Sequence, residues 1–126
     1  MGLIQLHEFP NLWFDNAALT FLQDLETQGD RRKVLTQIAV FDLHGYDRDI
    51  LGKQVEYIKT APYRGLIELK VKISSKREVR LLIVKAVPKG ISRQYVVVHA
   101  FIKTTQKLSK RDLDRALKVA KREGYL

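Results

Sequence analysis

The sequence predicts an α+β fold in a single domain spanning 1–126: two N-terminal helices, an antiparallel sheet of three main strands with a short N-terminal strand, and a C-terminal helix. Three observations predict it. Apolar residues recur at helical spacing in the first third of the chain. Three runs between Gly65 and Lys103 alternate apolar and polar residues, the repeat of a half-buried strand. Helical spacing returns after Ser109. A chain of 126 residues buries about two-thirds of its unfolded surface, enough for a core of its own.

Residues 3–6 form the short first strand, and Pro10–Asn11 breaks it. Asp15 is an N-cap for a helix over 16–28, whose stripe is Ala18, Leu19, Leu22 and Leu25. Gly29 ends that helix and Asp30 caps a second, which closes at Gly45. Asp47, Asp49 and Gly52 make 46–64 a loop, in which 55–59 is either a helical turn or a short extended piece. The strands follow at 65–73, 78–87 and 94–103, with polar residues turning at 74–77 and Pro88, Lys89 and Gly90 breaking the second. Ile67, Leu69, Val71 and Ile73 share a face with Val79, Leu81 and Ile83, and Val96, Val98, Ala100 and Ile102 share a face of the third strand. The short connections make these strands antiparallel neighbours, with the helices on one sheet face. Ser109 and Asp112 read as a capping box for the last helix. Its stripe is Leu113, Ala116, Leu117 and Ala120, with Lys118, Lys121 and Arg122 near its C-terminal dipole and Gly124 beyond it.

Composition narrows the function. Cysteine is absent, which excludes disulfides, thiolate metal sites and a cysteine nucleophile, and suits a reducing cytosol. No apolar run approaches the ~20 residues of a membrane span. The N-terminus, Met-Gly-Leu-Ile-Gln-Leu-His-Glu, lacks the basic region of a secretory signal, so the expected location is the cytoplasm. Net charge is +9, distributed as −3 over 1–60 and +12 over 61–126. A basic half of this kind points to a polyanion: RNA, DNA, the ribosome or an acidic protein.

The sheet face away from the helices is expected to be wet and to carry Glu68, Lys70, Lys72, Arg80, His99 and Lys103. Leu82, Val84, Val97 and Phe101 would line a groove there. RNA cleavage by the neighbouring 2′-hydroxyl needs a proton acceptor, fixed cations for the phosphorane and a proton for the leaving 5′-oxygen. Lys70 and Arg80 suit the second task and His99 suits proton transfer. Glu68 is a second base or a positioner of Arg80. No metal or other cofactor is required. Each assignment has an ordinary rival: a strand histidine is more often structural, alternating lysines line many solvated faces, and Glu68 pairs with a cation across the sheet. Tyr63 and Arg64 either stack on a base and hold a phosphate or, the preferred reading, pack against the helix layer. His7 and His44 read as surface or capping residues.

Three segments resemble a known family. They are Gly-Leu-Ile-Glu-Leu-Lys-Val-Lys from Gly65, Glu-Val-Arg-Leu-Leu-Ile-Val from Glu78, and Val-His-Ala-Phe-Ile-Lys-Thr-Thr-Gln-Lys from Val98. In this order, over about residues 55–122, they resemble the phage-derived HigB-like toxins of the RelE/ParE toxin–antitoxin superfamily. Lys70 stands where the family carries an arginine, and Thr104 replaces the second lysine of a pair, while Arg80, His99, Phe101, Lys103, Gln106 and Lys107 match. The resemblance implies a RelE-like toxin that cleaves mRNA, commonly on the ribosome, and a cognate helix-turn-helix antitoxin. It makes Glu68, Lys70, Arg80 and His99 the candidate catalytic residues and Arg64, Lys72, Lys103 and Lys107 the candidate RNA-binding ones. Two alternatives stay open: a non-enzymatic inhibitor such as a gyrase-binding ParE-like toxin, and an inactive nucleic-acid-binding relative.

Overall fold

The central strand of the molecule is apolar toward both sides, since Leu81, Leu82, Ile83 and Val84 follow one another and are all buried. A strand of that composition needs cover on both faces. The computed structural model, which describes residues 3–86, 94–103 and 109–125, supplies it. The elements are β1 (Leu3–Ile4), β2 (Leu12–Asp15), α1 (Asn16–Gln23), α2 (Gln28–His44), α3 (Arg48–Leu51), β3 (Val55–Tyr57), β4 (Leu66–Lys72), β5 (Glu78–Ala86), β6 (Gln94–Lys103) and α4 (Lys110–Arg122). A single turn of 3₁₀ helix, Gly52–Gln54, joins α3 to β3.

The mixed α+β class holds, with more parts than the sequence predicts. The sheet has six strands in the order β1-β2-β6-β5-β4-β3. All neighbours are antiparallel except β2 and β6, which run parallel with Phe14 opposite Val97. Sequence reading misses β2 because Leu-Trp-Phe-Asp is too short to establish alternation and its last residue doubles as a helix cap. Residues 55–57 take the extended alternative. The break at 88–90 lies outside the described residues.

Helix boundaries shift for identifiable reasons. Asp15 caps α1 as expected, accepting from the amides of Ala17 and Ala18 at 3.1 and 3.4 Å. That helix stops at Gln23, however, and Thr27 caps α2 through the amide of Asp30 at 3.0 Å. Gly29 therefore lies in the first turn of α2. Asp30 is freed from capping, and its carboxylate accepts from the amide and hydroxyl of Ser74 at 3.1 and 2.9 Å, tying α2 to the β4–β5 turn. Gly45 closes α2 at φ +68°, where a Cβ would also meet the Tyr95 hydroxyl at 3.0 Å.

Two cores result. One lies between the sheet and α1 and α2, and includes Leu69, Val71, Leu81, Ile83, Val34, Ile38 and Phe41. The other lies beneath α4, where Leu66, Leu82, Val84, Val96, Val98 and Phe101 meet Ala116, Val119 and Ala120. Helices thus cover both faces, which corrects the expectation of one wet face. A bulge corrects the expected facing of the third strand. Leu82 pairs with His99 and Ile83 with Val97, leaving Val98 as an extra residue. Val97 and Ala100 consequently belong to the first core, and Val96 and Val98 to the second. Among the described residues, no helix is long and apolar enough to cross a membrane.

The hydrogen bond from the Ser74 amide, opposed by burial, holds the Asp30 carboxyl below the usual aspartate range. A depressed acid contributes stability that is complete above its unfolded pKa, about 3.9, and is lost as pH falls through the folded value. We expect denaturant midpoints to fall more steeply below about pH 4 in the wild type than in Asp30→Asn. Parallel acid profiles would show that Asp30 is not a source of acid sensitivity.

Candidate functional site

The pairing register places the predicted charges in three rows across β4, β5 and β6: Glu68, Leu82, His99; Lys70, Arg80, Phe101; and Lys72, Glu78, Lys103. Directly opposed residues share a face, so Glu68, Lys70, Lys72, Arg80, His99 and Lys103 lie on one side of the sheet. The alternation expected from the sequence therefore holds for these residues. Their environments differ from the expected wet groove.

Arg80 is the buried centre. Its Nη1 donates to Glu68 Oε2 and its Nη2 to Glu78 Oε1, with Nε reaching the same Glu78 oxygen at 3.0 Å. The Arg80 side chain is only 10% exposed and that of Glu68 4%. Burial opposes the guanidinium charge, but the hydrogen bonds to Glu78 and Glu68 outweigh it and raise the Arg80 pKa. The same hydrogen bond from Arg80 lowers the Glu78 pKa. Lys103 is buried beside this cluster, and its pKa is lowered first by burial and then by the Arg80 charge. Lys70 faces the edge of the sheet, where its Nζ donates to Glu56 Oε2 at 3.0 Å and lowers the pKa of that carboxyl.

His99 is held differently. Its Nε2 lies 2.8 Å from Asp112 Oδ1 in the first turn of α4, and its ring stacks on Phe101 with centroids 5.5 Å apart. The expected capping box is therefore not made: Ser109 is the N-cap without a side-chain hydrogen bond, and the Asp112 carboxylate turns to the imidazole. With Asp112 Oδ1 facing Nε2, Nδ1 is the ring nitrogen left for another partner. The imidazole opens on a groove of about 430 Å³ lined also by Arg111, Arg115 and Lys118. Lys70 and Lys72 line another groove, of about 930 Å³, between α2 and the edge of β4.

The predicted set is thus united by face and divided by access, with Arg80 and Glu68 buried between two basic grooves. Arg64 lies at the opposite end of β4 from Lys72, where its Nε donates to the Lys59 carbonyl at 3.2 Å. Tyr63 takes the packing alternative, since it is buried and its hydroxyl donates to Asp114 on α4. Lys107, Thr104 and Gln106 lie outside the described residues. Sequence reasoning missed Glu78 and Asp112 as partners. Glu78 was legible two residues before Arg80 on the same strand face; Asp112 was masked by a pattern that reads equally as a cap. Arg111, Arg115 and Lys118 recur at i, i+4 and i+7, a helix face that was open to recognition. Among the described residues, no group of three or more histidines and carboxylates could hold a metal ion.

This geometry gives Arg80 a structural role beyond any chemistry. Removing it leaves Glu68 buried and unpaired, so we expect Arg80→Ala to lower stability by about 3 kcal/mol in equilibrium urea unfolding. Arg80→Met combined with Glu68→Leu should recover most of that loss. Equal stability of Arg80→Ala and wild type would refute this role.

Residues 20–121 match the family model described as "Gp49: Phage derived protein Gp49-like (DUF891)". Comparison with curated proteins and with solved structures finds no match. The family match contains β3 to β6 and all of α4 but its last residue, and with them every member of the charged rows and the His99–Asp112 pair. The chain belongs to the phage-derived Gp49-like family, a family of the toxin–antitoxin type.

Proposed function

We propose that the protein is the toxin of a toxin–antitoxin pair, a HigB-like member of the RelE/ParE superfamily that cleaves mRNA with the ribosome and without a metal. The observation that carries this reading is the carboxylate-held imidazole of His99 opening on a groove with Arg111, Arg115 and Lys118. His99 Nδ1 takes the proton of a 2′-hydroxyl. The 2′-oxygen attacks the adjacent phosphorus, the bond to the 5′-oxygen breaks, and the leaving oxygen takes a proton from water in the open groove. A 2′,3′-cyclic phosphate and a 5′-hydroxyl result. The groove cations hold the phosphate as its charge grows. Arg80 and Glu68 fix the sheet beneath His99, while Lys70 and Lys72 lie toward the second groove. A cognate helix-turn-helix antitoxin, cytoplasmic location and ribosome contact through the basic half belong to the same reading.

A second reading, inhibition without cleavage, is favoured by one observation. Lys70, Arg80 and His99 each already face a carboxylate: Glu56, the Glu68–Glu78 pair and Asp112, respectively. Expression in cells with mapping of transcript 5′ ends separates the two. We expect growth arrest with new ends inside translated frames, and a fall of about a hundredfold or more in cleavage for His99→Ala with the fold retained. Arrest with unchanged transcripts would favour inhibition without cleavage, and harmless expression would defeat both readings.

A further inference from the structure

Among the described residues, four large hydrophobic side chains are exposed, and two of them, Leu35 and Leu43, lie on α2. That helix already buries one stripe, Val34, Ile38 and Phe41, in the first core. Leu35, Ala39 and Leu43 recur every four residues, all exposed, and form a second ridge on its outer side. A surface helix needs one apolar stripe, and this second one has no cover among the described residues. The ridge has two unlike halves. Leu35 and Ala39 line a groove of about 600 Å³ between α2 and Phe9, with Arg31 and Arg32 in its walls. Leu43 lies one turn beyond that groove and projects into solvent, 67% exposed against 46% for Leu35. Charge is divided the same way: Arg31, Arg32 and Lys33 lie near the start of α2, and Asp47 and Asp49 follow its end. Arg32 and Asp49 are exposed and have no salt bridge among the described residues.

We propose that this ridge is the contact between two copies of the chain, whose α2 helices run antiparallel about a two-fold axis at Ala39. At a rise of about 1.5 Å per residue, Leu35 and Leu43 each lie about 6 Å from Ala39, on opposite sides of it. Antiparallel helices therefore set each projecting Leu43 against the groove beside the other copy's Leu35. The small Ala39 side chain at the crossing lets the two helices approach closely. The same operation brings the basic start of one α2 toward the acidic end of the other, whereas parallel helices would set arginine against arginine. Residues 1–60 carry a net charge of −3, so the segment containing α2 adds no positive excess to the contact. A polyanion is a poor occupant, because an apolar ridge gives it no partner and Asp47 and Asp49 repel it. Three apolar residues per copy make a small interface, with an expected Kd of about 10–100 µM.

The test reads mass and cross-linking without cleavage, so the nuclease reading stands or falls separately. The chain has no cysteine, and introduced ones therefore report contacts directly. Ala39→Cys, on the axis, is expected to form a disulfide with its own copy under mild oxidation. Leu35→Cys and Leu43→Cys should link to each other when mixed and far less to themselves. Lys121→Cys, exposed on α4, serves as the control and should stay monomeric on a non-reducing gel. In sedimentation equilibrium the wild type should approach twice the chain mass as concentration rises, and Leu43→Lys should raise the Kd about tenfold or more. Circular dichroism checks that the variants remain folded. A wild-type monomer at about 500 µM would overturn the proposal and leave the ridge to a different protein. A dimer indifferent to Leu43→Lys would also overturn it, as would Lys121→Cys linking as readily as Ala39→Cys. Self-linking of Leu35→Cys and of Leu43→Cys in preference to the mixed pair would refute the antiparallel arrangement.

Discussion

A single cation in the middle of the sheet sets the terms for its neighbours. Arg80 sits on β5, between β4 and β6, and its fork is filled by one carboxylate from the adjacent strand and one from its own. A guanidinium buried there requires partners with fixed geometry, because desolvation of an unmatched charge costs several kcal/mol. Glu68 and Glu78 supply that match, and the register of β4 on β5 is thereby tied to polar as well as apolar pairing. The lysines around the cluster feel its field: Lys103 is made easier to deprotonate by burial and by Arg80. The cluster also divides the basic surface, since His99 opens on one side and Lys70 on the other.

Local signals carried much of the fold. Asp15, with its side-chain oxygen at the start of an apolar periodic run, and Gly45, at a positive φ, mark helix ends by chemistry that acts within a few residues. The alternation in β4 and β5 similarly reports which side chains share a face. Non-local decisions were less legible. β2 gains its place by lying parallel to β6, more than eighty residues away in sequence, and four residues cannot announce that partner. Asp30 looked like a cap because the cap and the Ser74 tether use the same carboxylate chemistry. The apolar run Leu81–Val84 did hold the information that both sheet faces are covered, but the lysines of the neighbouring strand suggested a wet surface.

The candidate site divides along the same line. The common face of Lys70, Arg80 and His99 follows from the repeat of the strand and from short connections. Their separation into two grooves depends on where α2 and α4 settle, which the strand pattern does not encode. Asp112 illustrates the difficulty. A carboxylate three residues after a serine at a helix start is an ordinary terminus, and only the tertiary approach of α4 to β6 turns it toward an imidazole. The basic character of the second half was visible from composition, and the pairing of Glu68 with Arg80 was one of the alternatives the sequence offered; the second partner, Glu78, and the Asp112 partner of His99 went unrecognised.

The extra residue at Val98 gives β6 two independently facing halves. Each half of the strand feeds both cores: upstream, Val97 faces the α1–α2 core and Val96 the α4 core; downstream, Ala100 faces the first and Phe101 the second, with His99 reaching Asp112 on α4. A relative lacking one residue there could spell the same histidine-containing segment while turning its upstream hydrophobic residues inside out. Alignments within the lineage are therefore best anchored on the Leu82–His99 rung, because textual identity across the bulge does not guarantee equivalent orientation in space.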